Sequence, residues 1–147
     1  YPGGGWLNAG DWVRHVMHRP GLRCVTGAAA ETIERTGSTW TLTAYVKPLN
    51  TVQNDEFGRS VAISGNTVVV GAPYEDSSLA GGPADNSLTN SGAVYVFARE
   101  GTNWNQQAYI KASNTGAGDY FGRSVVVSGD TLVGGVKGLP ELSVKIA

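Results

Sequence analysis

The chain has 147 residues, 11 basic and 12 acidic, for a formal net charge of −1. That balance offers no electrostatic footing for a nucleic-acid or anionic-membrane partner. Its composition, 41% hydrophobic with 21 glycines, is that of one ordinary, turn-rich globular domain, and no apolar run approaches the roughly eighteen residues that span a bilayer.

The chain begins at Tyr1, with no basic stretch leading into an apolar core, so no signal peptide is expected in it as given. The expectation is a processed start or a piece of a longer protein. Residues 1–36 match no repeat and hold both histidines, the single Cys and the single Met. Asp11–Arg19 reads as a short helix stopped by Pro20-Gly21, and Ala28–Arg35 as another ended by Thr36-Gly37. Neither has a clear apolar face, and a segment without fixed structure is the other reading. The composition shift at Gly37 marks the start of the folded unit, expected over residues 37–136.

Repeat material begins at Thr39-Trp40-Thr41-Leu42 and runs to Lys47. The stretch from Phe57 to Val69 then returns from Phe121 to Val133, at an offset of 64 residues. The same offset sets Trp40 on Trp104, Tyr45 on Tyr109, Lys47 on Lys111 and Asp55 on Asp119. An internal repeat of this length decides the architecture before any single residue does.

Within each copy two β-branched runs, Val61-Ala62-Ile63 and Val68-Val69-Val70 in the first, flank Ser64-Gly65-Asn66. Gly followed by Asn or Asp between apolar runs predicts a hairpin, because the turn needs positive φ. The runs are apolar on both faces and are expected to be covered on both sides. Tyr74 to Ser91 reads as a long polar loop. Ala93–Ala98 predicts a third strand. Trp104–Ala112 predicts a fourth, outer and half-buried, with Trp104, Gln106, Ala108 and Ile110 on one face and Asn105, Gln107, Tyr109 and Lys111 on the other.

Four strands in meander order within about sixty residues is the size of a propeller blade. The expected fold class is all-β, a partial β-propeller of four-stranded antiparallel blades. One full blade over residues 57–112 is flanked by two half blades, 39–47 before it and 121–136 after it. Residues 137–147 are expected to form an irregular tail. A closed propeller takes about four to eight blades, so open ends would leave strand edges free to pair. The chain is then a fragment, a self-associating unit, or a sheet whose edge residues 1–36 cover.

Phe57-Gly58, then Gly71-Ala72-Pro73, then Gly92-Ala93-Val94-Tyr95-Val96-Phe97, with Phe121-Gly122 opening a second copy, resembles the FG-GAP repeat. That repeat builds the β-propeller of integrin α chains and of many secreted and cell-surface proteins. The resemblance covers about two thirds of the chain. It implies a non-enzymatic scaffold outside the cell or at its surface, adhesion-like, binding a protein or carbohydrate through loops at one end of the blades. An accessory propeller of a larger secreted hydrolase is the alternative. Many repeats of the family carry an Asp-rich calcium loop between FG and GAP. Here Arg59 to Val70 contains no acid and the second copy offers only Asp130, so the family's calcium site is absent from both copies.

Other chemistry is weaker. Tyr74, Glu75, Asp76 and Asp85 mark the 74–91 loop as the candidate binding loop, and its scattered carboxylates leave a calcium-dependent module as a further alternative, although the regular ligand spacing is missing. His15, His18 and Cys24 fall short of a four-ligand zinc site. Asp55 and Asp119 recur before each Phe-Gly, which suits a turn-capping role better than catalysis. No catalytic residue, metal ligand or cofactor is assigned. The recurring aromatics read as packing between blades.

Overall fold

The computed structural model describes residues 22–25, 29–50, 54–137 and 142–145, with the backbone alone for the first and last of these stretches. The described residues form ten strands: β1 (Leu22–Val25), β2 (Ala29–Thr36), β3 (Thr39–Val46), β4 (Ser60–Ser64), β5 (Thr67–Ala72), β6 (Ala93–Glu100), β7 (Asn103–Ile110), β8 (Val125–Ser128), β9 (Thr131–Gly134) and β10 (Leu142–Lys145). They form three antiparallel sheets, ordered β1-β2-β3, β4-β5-β6-β7 and β10-β9-β8. The fold is all-β, and each sheet is a blade or part of one.

The middle blade is the meander that the sequence predicts. β4 and β5 are joined by Gly65-Asn66, with Ser64 opposite Thr67 and Gly65 at φ +54°. Gly129 takes the same φ, +54°, in the β8–β9 hairpin. Both faces of the blade are covered. Along β6 the side chains alternate between two cores: Ala93, Tyr95 and Phe97 pack with Ala30 and Val46 of the first blade. Val94 and Val96 pack with Phe121, Val127 and Leu132 of the third. Burying β-branched strands on both faces removes their apolar surface from water at about 25 cal/mol per Å².

Three elements differ from expectation. Where a helix is expected over Ala28–Arg35, the described residues from Ala29 on form a strand; β2 pairs with β3 from Ala30↔Val46 to Thr36↔Thr39. Its Ala-rich start favours a helix locally, but strand pairing overrides that preference. β2 lies 64 residues before β6, and Arg35 and Arg99 repeat one contact. Their Nε atoms donate to the carbonyls of Gly37 (2.6 Å) and Gly101 (2.9 Å), with the guanidinium groups over Trp40 and Trp104.

The second difference is in the tail. Leu142–Lys145 forms β10, which pairs with β9 from Leu142↔Gly134 to Lys145↔Thr131. A short return thus supplies the third strand where the middle blade uses the long loop. Among the described residues the flanking sheets are therefore three-stranded, and the half blades are larger than expected.

The third difference is a β-bulge. The β6–β7 register shifts between Val96 and Phe97, which leaves Gln107 without a partner. The strict alternation expected along β7 breaks there. Trp104 and Tyr109 share the face toward the first blade, while Ala108 and Ile110 take the other. β2–β3 carries the same shift between Thr32 and Ile33. The helix expected at 11–19, with His15 and His18, lies outside the described residues, as does the side chain of Cys24.

Candidate functional site

The motif residues sit where blade meets blade. Phe57 is buried between the first two blades, edge-on to Tyr95 (5.3 Å) and Phe97 (6.1 Å). Phe121 is buried between the second and third. Its amide donates to the Ser91 carbonyl at 3.0 Å. Gly58 N–H donates to Gly71 O, and Gly122 N–H to Gly135 O, each at 3.0 Å. The Ser60 hydroxyl donates to Gly122 O at 2.6 Å. Ala72 and Pro73 are buried at the end of β5. Within each repeat the glycine amide of Phe-Gly thus bonds the glycine at the end of its own second strand, and across the seam Gly122 packs on Gly71 of the repeat before it.

The 74–91 loop leaves β5 at that seam, and a buried polar cluster ties it down. Glu75 is enclosed, and its carboxylate accepts from Lys111 Nζ at 2.7 Å. It also accepts from Ser77 N–H at 3.1 Å and from the Ser77 hydroxyl. Lys111 Nζ donates in addition to Ser91 Oγ at 2.6 Å. The Ser91 hydroxyl donates to the carbonyl of Ser77 at 2.8 Å. Burial lowers the Lys111 pKa, and Glu75 opposes that shift. The Tyr109 hydroxyl closes the cluster beside Glu75 and Ser77 without a well-aligned hydrogen bond, and burial pushes its pKa far up.

The other two acids are spent nearby. Asp76 Oδ1 accepts from Asn90 N–H at 2.6 Å. Asp85 Oδ2 accepts from Ser78 N–H (2.8 Å), Ser78 Oγ (2.6 Å) and Ser87 Oγ (2.7 Å). Those bonds, from Ser78 above all, lower the Asp85 pKa from its usual 3.8 to about 2. Asn50 Nδ2 donates to the Pro83 carbonyl at 2.5 Å, pinning the loop to the segment after β3. Tyr74 packs edge-on against Tyr120 at 5.1 Å. At the tip, Leu79 is 58% exposed.

Glu75, Asp76 and Asp85 are thus in one loop but not at one point. Each is turned onto donors of the protein itself, and among the described residues no three His, Cys, Asp or Glu side chains gather as metal ligands would. Asp119 caps its turn through Oδ2, which accepts from Gly116 N–H at 2.6 Å. Sequence reasoning missed Lys111 as the anchor of the loop. Its one signal was a lysine recurring at 47 and 111 beside a blade edge, which does not point to a carboxylate 36 residues away.

A cleft of about 490 Å³ opens between the first two blades, lined in part by Thr32, Glu34, Ile63, Arg99 and Trp104. An ion pair from Arg99 to Glu34, 2.6 Å long, joins the two blades.

With phenylalanine wedges at the seams and glycines at the points of closest approach, the architecture is that of a propeller-type repeat scaffold. The chain matches the FG-GAP repeat family over residues 40–97 and 104–136 and belongs to it. No curated protein matched the chain.

Proposed function

We propose that this chain is a non-enzymatic propeller scaffold that recognises a protein or carbohydrate ligand outside the cell or at its surface, through the 74–91 loop. The observation that carries this reading is the anchoring of that loop. Its base is fixed by Glu75 on Lys111 at 2.7 Å and its middle by Asp85 on Ser78 and Ser87, while Leu79 at the tip is exposed. A loop ordered before binding loses less conformational entropy on binding, and loops on a rigid frame are where such proteins carry specificity. The adhesion-like setting is supported by the use of this repeat family in integrin α chains and secreted proteins, and fold alone does not fix it.

The test probes immobilised extracellular-matrix proteins and a glycan array with the whole chain and with a variant in which Leu79–Ala84 is replaced by a Gly-Ser spacer of equal length. The reading expects retention of the wild type on at least one surface, and loss of that retention in the variant with an unchanged far-UV spectrum. A wild type that is never retained, or a variant retained equally well, overturns it.

A further inference from the structure

The outward faces of the first and third blades expose apolar side chains at positions that are covered in the middle blade. On the first blade Trp40 is 49% and Tyr45 62% exposed, with Leu42 beside them. Their counterparts 64 residues on, Trp104, Gln106 and Tyr109, all face the first blade. Trp104 lines the cleft with Thr32, Gln106 Oε1 accepts from Leu49 N–H at 3.1 Å, and Tyr109 packs on the core shared with Ala30 and Val46. On the third blade Val126 is 54% exposed and Val133 half-buried. Their counterparts, Ala62 and Val69, are buried against the third blade.

The two exposed faces are unlike, and they match. Between the first two blades the later sheet brings large rings, Tyr95, Phe97, Trp104 and Tyr109, and the earlier one brings the small Ala30 and Val46. The face of the first blade that the described residues leave uncovered offers the large side, Trp40, Leu42 and Tyr45, and that of the third offers the small side, Val126 and Val133. Like faces would set ring on ring or valine on valine. Unlike faces would repeat a contact that the chain already makes within itself.

We infer that a second copy of this chain docks head to tail, its third blade on the first blade of its neighbour and the reverse. The described residues of each chain form three sheets, so those of the pair form six, within the roughly four to eight blades of closed propellers. A heterologous contact closes when its rotation returns on itself, and the pair is that closed form.

Light scattering on the whole chain tests this, with Trp40→Glu and Val126→Glu as variants. The wild type is expected at twice the chain mass. Each variant alone is expected to be monomeric with an unchanged β spectrum, its association weakened more than about tenfold by a carboxylate on an apolar face. An equimolar mixture of the two variants retains one unaltered contact and is expected to recover a pair. Tyr45→Glu replaces Trp40→Glu if the latter disturbs the fold. A monomeric wild type overturns the inference. So does an open-ended polymer, or a pair broken at residue 40 and indifferent to residue 126, which would mean contact between like faces.

Discussion

Gly71 of the first repeat and Gly122 of the second are in backbone contact across two blades. A Cβ on Gly71 would lie 1.9 Å from the Gly122 carbonyl oxygen, and one on Gly122 would lie 2.4 Å from the Ala93 carbonyl oxygen. The glycines of the two motifs are therefore needed for the same reason, the distance at which one sheet meets the next. Gly122 also sits at φ +84°, which L-residues with a side chain rarely adopt.

Gly71→Ala and Gly122→Ala are each expected to destabilise the fold by about 1–3 kcal/mol, as overpacking does. Gly65→Ala, with open space around its Cβ, carries only the strain of its turn, about 1–2 kcal/mol. Urea denaturation of the three variants checks the order. A milder effect at Gly71 than at Gly65 would contradict the close contact.

Phe121→Ala removes the wedge between the second and third blades, where the side chain is fully buried. The expected loss is about 3–5 kcal/mol. Its ring also lies against Gly134, where an added Cβ would come within 2.6 Å of it. Phe121→Ala combined with Gly134→Ala is therefore expected to lose less than the sum of the single changes, measured in a denaturation cycle. Simple additivity would place the ring elsewhere.

Lys111 and Glu75 form a buried pair, with side chains 3% and 2% exposed. Removing one partner strands a charge. Lys111→Met and Glu75→Gln are each expected to cost about 3 kcal/mol or more, and the double variant less than the two together. Thermal melts of the three proteins decide it. Equal and additive losses would mean that the two groups act independently.

Asp85 gives the loop a pH dependence of known sign. Its folded-state pKa is depressed to about 2 from 3.8, mainly by Ser78. A depressed carboxylate favours the folded loop above the unfolded pKa, and that preference is lost as pH falls through the folded value. The Ser78 and Ser87 amide resonances are expected to titrate with a midpoint of about 2. A midpoint at the ordinary carboxylate value would show that Asp85 is not held.

The hairpins were legible because three local signals agreed: β-branched runs, a Gly-Asn or Gly-Asp turn and a second copy. β2 was not, since Ala28-Ala29-Ala30-Glu31 favours a helix and only Ala29 and Arg35 match their counterparts in β6. Its strand character comes from pairing with β3, which local preference does not encode. The bulge at Gln107 was hidden for a related reason. An unpaired residue leaves the polar pattern of β7 unchanged while turning Tyr109 to the opposite side. Trp104 and Tyr109 do pack between blades as read, and Trp40 and Tyr45 are exposed because the described residues leave their face of the first blade uncovered. At the candidate loop the carboxylates were visible, but Lys111, which binds one of them, was not.

The most direct test of the central claim, that the repeats form one stack of interlocked blades, is native-state hydrogen exchange. Phe121 N–H is bonded to Ser91 across the seam at 3.0 Å, and Gly122 N–H to Gly135 at 3.0 Å. Both amides are expected to exchange in the same slow class as those of Val69 and Val96 in the middle blade, through global unfolding alone. Fast exchange at 121 and 122 with slow exchange in β5 and β6 would show blades that open independently, and would contradict the account.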